Sequence, residues 1–380
     1  MADVNATFDS DIQVNVYLSN LTNSTDAFQR ARILVPLATN SLNGADVAVY
    51  ATLAEAKVAK DAGYIAATTY EAIATIFAQS NSPAQGVSVA SVDVVGSVSY
   101  GAALIASIAT DPNFYLVICG SRSSTDIASV VGVVETCGDK AAADLAGYPF
   151  KHMITAVQSA DSTLLTGALP SGLSSLEGKE RTILCYHPTA TAWFDAAHQN
   201  RLSVPLSTVM PPWVKWTAAY VPVYPLGTIN ATQVAAAETI YVDLLLAFGA
   251  GEARKAGQGL SQAGRQMTNI ITADWLAAVI QSTIADTQVN LADQNLAITM
   301  DAAGQQVIVG CIQSVFATGI AAGSLRATDD LGNPGTSVTP LTITDADRAA
   351  NRLRFDASAL LSQAAVKVVI NIYTDTTSIA

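Results

Sequence analysis

The sequence has few charged residues. Asp, Glu, Lys and Arg together make up 13% of its 380 residues, whereas a typical soluble protein carries about 25%. Hydrophobic residues make up 50%, so uncharged small and polar residues stand where charges are missing. A surface that is poor in charge loses little hydration when copies of a chain pack together. This composition favours a protein that assembles.

Basic residues are scarcer than acidic ones. The 19 Lys and Arg residues stand against 31 Asp and Glu residues, and no basic run occurs. Direct binding of nucleic acid is therefore not expected. The first residues, MADVNATFDSD, lack the basic and apolar blocks of a signal peptide. Apolar stretches such as 307–323 are too short or too interrupted to span a bilayer. We expect a protein folded in a cytoplasm, without membrane insertion.

Residues that bind metals or act as nucleophiles are also rare. The four cysteines are widely spaced and mostly lie in apolar runs, which predicts buried, reduced thiols; they are Cys119, Cys137, Cys185 and Cys311. The histidines are His152, His187 and His198. His187 and His198 flank a helical pattern close to Cys185, but their spacing matches no usual zinc pattern. The sequence predicts ordinary, partly buried histidines, no metal site and no cofactor.

Catalytic motifs are absent from the sequence. It has no nucleophile elbow, Walker loop, HExxH or kinase signature, and the third glycine of GAGEARKAG (249–257) is misplaced for a dinucleotide loop. The turn GSRSSTD (120–126) follows a strand pattern, where an α/β protein could bind an anion. A helix cap at Ser124 or Thr125 explains the same residues without a ligand. No nucleophile, base and oxyanion site come together, so we predict that the protein is not an enzyme.

Strand and helix patterns alternate along the first half of the chain. Strand patterns lie at 32–38, 86–95, 114–120, 151–157 and 181–187, with helical patterns among them. This alternation is typical of an α/β layer with a largely parallel sheet. From 231 to about 250 the pattern is helical, and 249–259 resembles a loop. The stretch 326–340 is rich in turn residues, and 341–344 resembles a strand.

Two amphipathic helices are predicted in the second half. In the first, one face is shared by Leu276, Val279, Ile280, Thr283 and Ile284. Thr272 or Asp274 is its expected N-cap. In the second, the shared face consists of Ile308, Cys311, Ile312, Val315 and Gly319.

Both ends of the chain carry the period-two pattern of a half-buried strand. The apolar positions are Ile12, Val14, Val16 and Leu18 near the first residue, and Val366, Val368, Ile370 and Ile372 near the last. An unpaired strand edge invites pairing with another chain. We therefore expect both ends to be strand arms.

Three stretches near the C-terminus occur in a characteristic order. ADWLAAVIQSTIAD is a helix led by Trp, and DAAGQQVIVGCIQSVFATGIAAGSL is a helix opened by Asp-x-x-Gly and closed by a Gly-rich turn. ITDADRAANRLRFDASALLSQAAVKVVINIY ends in the closing strand. Together they resemble the C-terminal half of contractile phage tail sheath proteins of the myovirus type. Where those proteins commonly have a proline after DRAA and a Gly-Ala-Ile-type run, this chain has NRLRF and SQAAV.

The resemblance implies a structural subunit of a virion tail, made in the cytoplasm of a host bacterium. Such subunits polymerise as stacked hexameric rings around the tail tube and contract to drive the tube through the host envelope. The implied partners are further copies of the chain, the tail tube protein, and the baseplate and tail terminator proteins. The arm strands would add to the sheets of neighbouring subunits by β-augmentation.

The predicted fold class is mixed α/β (α+β) in several domains, with an assembly domain of helices on a β-sheet and extended strand arms. The predicted segments are an N-terminal arm (1–24), an outer α/β domain (25–204), a proline-rich connection (205–230), an assembly domain (231–364) and a C-terminal arm (365–380). Two other hypotheses stay open. One is another virion or surface-shell protein, and the other is a small-molecule-binding α/β enzyme that uses the turn 120–126.

Overall fold

The structure is a computed structural model that describes residues 25–79, 83–198, 221, 229–248, 252–256, 259–349 and 353–362. The two predicted arms lie outside these residues, and so do all eight apolar arm positions. Most of the predicted proline-rich connection lies outside them as well.

An eight-stranded sheet forms the centre of the fold. Its strands are β1 (Ala31–Pro36), β2 (Val47–Tyr50), β3 (Val87–Val92), β4 (Leu116–Cys119), β5 (Ile154–Ser159), β6 (Thr182–Tyr186), β7 (Val242–Phe248) and β8 (Glu252–Ala256). Their order across the sheet is β2-β3-β1-β4-β5-β6-β7-β8. The six strands from β3 to β7 are parallel, and the edge strands β2 and β8 are antiparallel to their neighbours.

Seven α-helices connect or flank these strands. They are α1 (Leu53–Asp61), α2 (Ala67–Phe77), α3 (Tyr100–Thr110), α4 (Ser124–Gly138), α5 (Lys140–Ala146), α6 (Phe194–Ala197) and α7 (Ala231–Thr239). Short 3₁₀ helices lie at Thr25–Gln29, Leu37–Thr39, Leu42–Gly44, Ser162–Thr166, Ser171–Leu176 and Ala190–Ala192. All residues of β4 and β6 are buried, as in parallel strands that are covered on both faces. The predicted α/β layer is confirmed.

The prediction for 231–259 was wrong in part. The helix α7 ends at Thr239, and the strands β7 and β8 lie in the rest of this range, where the pattern indicated helix and loop. Tyr241, with φ of 57°, lies in the turn between α7 and β7. The apolar run VDLLLAF pairs in the sheet, and periodicity alone cannot distinguish such a run from a buried helix.

The sheet crosses one of the predicted domain limits. The strands β7 and β8 belong to the range 231–364, yet β7 pairs with β6 of the range 25–204. The division into domains stays a prediction, and the sheet is continuous across its border.

A smaller unit follows the sheet. It consists of the long helices α8 (Met267–Asp293) and α9 (Ala302–Ala321), the hairpin strands β9 (Thr336–Pro340) and β10 (Phe355–Ala359), and the short helix α10 (Asp345–Ala349). All five residues predicted for the inner face of α9 are buried. The predicted caps of α8 were wrong, because this helix begins at Met267 and carries Thr272 and Asp274 in its buried interior. The turn-rich stretch contains β9, and 341–344 is not a strand.

Within the described residues, α9 is long and apolar enough to cross a membrane. Its most apolar window has a mean hydropathy of 1.2, and 50% of that window is buried inside the structure. A core helix meets the same criterion, so this is weak support for a membrane span.

The start of α9 requires a glycine. Asp301 caps the helix by accepting hydrogen bonds from the Gly304 N–H, at 3.0 Å, and from the Thr299 hydroxyl. A Cβ on Gly304 would lie 1.9 Å from the carbonyl oxygen of Thr299. Because that neighbour is backbone, it can move only by distorting the turn.

We predict that Gly304→Ala destabilises the protein whereas Gly310→Ala, in the same helix, does not. The first change forces a backbone clash that costs about 1–3 kcal/mol. The second places a Cβ where no atom lies within 4 Å and stabilises the helix by about 0.5–1 kcal/mol. Urea denaturation of both variants measures the difference, and equal free energies of unfolding would contradict the assigned role of Gly304.

Candidate functional site

The carboxyl edge of the sheet is where an α/β enzyme would bind its ligand. From β1 the chain first builds one side of the sheet, with β2 and β3, and then crosses to the other side at β4. The crevice between two such strands is the usual ligand-binding site of an α/β sheet. Here the crevice is occupied by the protein. Gly120 donates a hydrogen bond to the Leu34 carbonyl at 2.8 Å. Arg122 forms a two-pronged ion pair with the buried Asp195, and its guanidinium lies 4.6 Å from the ring of Trp193.

The turn 120–126 is also closed by its own side chains. The helix α4 begins at Ser124, and its N-cap, Ser123, makes no side-chain capping bond. The predicted caps Ser124 and Thr125 were therefore wrong. The carboxylate of Asp126 accepts a hydrogen bond from the Ser121 hydroxyl at 2.5 Å. A carboxylate in the first turn of α4 repels an anionic ligand, so this geometry does not favour the enzyme hypothesis.

A thiol and an imidazole meet behind this edge. The Sγ of Cys185 lies 3.2 Å from Nε2 of His198, and the same nitrogen lies 4.0 Å from the Asp243 carboxylate. Since both groups approach one ring nitrogen, His198 does not relay a proton between them as a catalytic triad requires. His187 instead contacts Thr189. Over the described ranges, no group of three His, Cys, Asp or Glu residues could hold a metal ion.

The amino edge of the sheet carries a buried ion-pair network that joins it to α8. Tyr115, His152 and Arg181 each precede a parallel strand, so they meet at one edge. Arg181 donates two hydrogen bonds to the Asp274 carboxylate, at 2.6 and 2.9 Å. The Tyr115 hydroxyl donates a third at 2.7 Å, and Nδ1 of His152 lies 3.3 Å from the same carboxylate.

The protonation states in this network follow from its geometry. Burial opposes the charge of Asp274, but Arg181, His152 and the bond from Tyr115 outweigh it, so the pKa of this carboxyl lies below its usual value. Burial and the Asp274 charge hold the pKa of Tyr115 well above its usual value. Its hydroxyl therefore stays a donor. Glu135 of α4 fixes the Arg181 backbone by accepting its N–H at 2.8 Å.

The hairpin of β9 and β10 is the most incomplete part of the fold. Among the residues that the structure describes, these two strands pair only with each other. The hydrogen bonds Leu341 N to Arg354 O and Leu360 N to Gly335 O bracket the ladder. With the observed register, the backbone groups that alternate with these bonds point outward. They belong to Thr336, Val338 and Pro340 on β9, and to Phe355, Ala357 and Ala359 on β10.

The hairpin has one apolar face and one polar face. Val338, Phe355 and Ala359 pack against the core. On the opposite face Ser337 and Ser358 share a hydrogen bond of 2.8 Å and are exposed. A two-stranded sheet is barely stable alone, and its open edges are templates for a further strand. This hairpin is the candidate interface for assembly.

Comparison with solved structures identifies the architecture. No protein-family model and no curated protein matches the sequence. A chain of the cryo-EM structure of the anti-feeding prophage (AFP) baseplate superposes with a TM-score of 0.63, over 99% of this chain and 100% of that one, at 12% identity. The AFP helical sheath in the contracted state gives a TM-score of 0.64 with the same coverage, at 10% identity.

The sheath complex of the extracellular contractile injection system PVC, in its contracted state, gives a TM-score of 0.59 over 99% of both chains, at 11% identity. The chain has the fold of a contractile sheath protein. At this identity the likeness is one of fold. The fold class predicted from the sequence, mixed α/β, is confirmed.

The predicted arm residues lie outside the described residues, and no observation tests them. The ion-pair network was missed, because Asp274 was interpreted as a helix cap and Arg181 as the start of a strand pattern. The role of a buried acid in a helix interior can be recognised only when its basic partner is known. The partner of Asp274 is Arg181, which lies 93 residues away in the sequence.

We predict that Asp274→Asn lowers the free energy of unfolding by about 3–5 kcal/mol, because it leaves the largely buried Arg181 guanidinium without its anion. Asp286→Asn, on an exposed turn of the same helix, is the matched control and should stay within about 0.5 kcal/mol of the wild type. Urea denaturation at neutral pH measures both. Similar values for the two variants would show that the network does not hold α8 to the sheet.

Proposed function

We propose that the protein is the sheath subunit of a contractile tail or injection apparatus and is located in the tail or tail-like particle. The observation that carries this proposal is the likeness of fold to AFP and PVC sheath chains over 99% of the chain. The low content of charged residues supports it, since subunit contacts must form without desolvating many ions. The filled carboxyl edge of the sheet fits a scaffold that binds no small substrate.

The two arms are proposed to complete the hairpin of a neighbouring copy. The outward backbone groups of β9 and β10 supply donors and acceptors for an added strand, and the period-two pattern of each arm supplies the side chains that set its register. A strand from another copy would convert the two-stranded sheet into a larger one that spans subunits. Each subunit would then be tied to others through its own ends.

Assembly would proceed as stacked hexameric rings around a tail tube, with baseplate and terminator proteins at the two ends. Contraction would be a change between two packings of the same subunits, driven by the larger area that the subunits bury against one another in the shorter state. No nucleotide hydrolysis is required for such a change. In a virion, it would drive the tube through the host envelope.

We predict that the full chain forms hollow rods or stacked rings and that deletion of 1–20 or 366–380 abolishes them. The deleted chains should still fold, because the residues from Phe28 to Leu325 already form a large buried apolar cluster. Negative-stain microscopy across salt and protein concentration scores the assemblies, and circular dichroism checks the fold. Rods formed by both deleted chains would contradict the role of the arms.

A matched pair of substitutions tests the pattern of the C-terminal arm. In one variant Val366, Val368, Ile370 and Ile372 become Ser, and in the other Lys367, Asn371 and Tyr373 become Ser. Only the first should prevent assembly, because only its positions would fill pockets on a neighbour. Loss of assembly in both would indicate that the arm has no preferred face.

We predict that Ala357→Pro raises the critical concentration for assembly by about tenfold or more. Proline removes an outward N–H while leaving the bonds between β9 and β10 in place, and a lost hydrogen bond together with the clash of the ring costs upwards of about 1.4 kcal/mol. Ala357→Ser keeps the N–H and is the control. Sedimentation of rods against protein concentration measures the effect, and equal values for the two variants would exclude this edge as a docking site.

A further inference from the structure

Two further basic residues are buried beside the network under α8. Lys151 is 0% exposed, and its ammonium lies 4.8 Å from the centroid of the Phe114 ring. The guanidinium of Arg32 lies 4.1 Å from the same centroid and is also 0% exposed. The next residue, His152, contacts the Asp274 carboxylate at 3.3 Å.

Lys151 and His152 face charged or titratable groups from several neighbouring elements. Lys151 faces Arg32 of β1, Asp111 after α3, Cys137 of α4 and Asp274 of α8. His152 faces Asp274, Arg181 and Lys151. The remaining charged neighbours are Arg30, which pairs with Asp111, and Glu135, which lies beside Arg181.

Basic groups outnumber acidic ones in this cluster. The bases are Arg30, Arg32, Lys151, His152 and Arg181, and the acids are Asp111, Glu135 and Asp274. Arg32 and Arg181 are each tied to a carboxylate, at 2.8 and 2.6 Å. Apart from Lys151 and His152, the three arginines balance the three carboxylates, so a charge on either of these two residues gives the buried region excess positive charge.

Burial, with Arg32 as the next cause, lowers the pKa of Lys151 from 10.5 to about 7. Burial also lowers the pKa of His152 from 6.5, against the attraction of Asp274. The unfolded chain thus binds these protons at higher pH than the folded chain does. Stability is then lost as pH falls, from 10.5 towards 7 through Lys151 and below 6.5 through His152.

We propose that this cluster makes the attachment of α8 to the sheet sensitive to acid, so that charging Lys151 and His152 together loosens α8 from the amino edge. Beside its buried apolar residues, α8 is tied to this edge by the Asp274 carboxylate, which would have to serve two more cations. This behaviour belongs to the single folded chain and does not depend on the proposed function.

Hydrogen exchange of the dilute full chain, followed by mass spectrometry between pH 8 and pH 5, tests the proposal. After correction for the intrinsic effect of pH on exchange, peptides from 267–284 should lose about tenfold or more of their protection at the acid end. Peptides from α2 (67–77), which contributes no residue to the cluster, serve as the internal reference and should keep theirs. An unchanged profile for 267–284, or equal losses in α2, would overturn the proposal.

Two conservative variants identify the residues responsible. Lys151→Met and His152→Gln keep the size of each side chain but cannot gain a proton, so each should move the loss of protection to lower pH by about half a unit or more. Lys57→Met, at a side chain that is 60% exposed, should have no effect. If both variants lose protection at the same pH as the wild type, Lys151 and His152 are not the source of the acid sensitivity. If a variant fails to fold, the experiment on the wild-type chain still tests whether α8 is sensitive to acid.

Discussion

The attachment of the helical unit to the sheet depends on the ion pair between Arg181 and Asp274. Taking both charges out of water is costly. The cost is offset because Arg181 donates two hydrogen bonds to the Asp274 carboxylate and the Tyr115 hydroxyl donates a third. Apolar contacts could hold α8 at many angles. A two-pronged ion pair is directional and allows one angle between α8 and the sheet. This contact therefore sets the orientation of α8 and of the hairpin that follows it.

That direction matters for a subunit that works by contact with its copies. In the proposed sheath, each hairpin must meet an arm from another subunit, and an error in the angle of α8 would be carried over the length of a 27-residue helix. Such a helix is about 40 Å long. This rigid connection lies inside the subunit. Movement between subunits could then leave each core unchanged.

Sequence patterns predicted the parts of the fold in which local and global preferences agree. Buried apolar runs predicted β4 and β6, and the five residues predicted for the inner face of α9 are all buried. The errors lie where a distant partner decides. Asp274 near the start of a helix looks like a cap, and only Arg181, far along the chain, makes it a buried ion. The apolar run after Tyr241 fits a buried helix and a buried strand equally well, and its pairing with β6 makes it a strand. The strands β9 and β10 are short and polar, and packing on α9 made them strands.

The two edges of the sheet show why an enzyme-like scaffold presents no evident active site among the residues that the structure describes. At the carboxyl edge, where the chain reversal creates a crevice, Arg122 pairs with Asp195 and lies over the Trp193 ring, which leaves little room for a ligand. At the amino edge, where enzymes of this architecture usually keep only packing contacts, lie the buried Asp274, Lys151 and Arg32. Polar groups are expensive to bury, so their position indicates which connection the fold must keep. Here that connection is the one between the sheet and the helices that present the open hairpin, and the protein is organised around holding that hairpin in place.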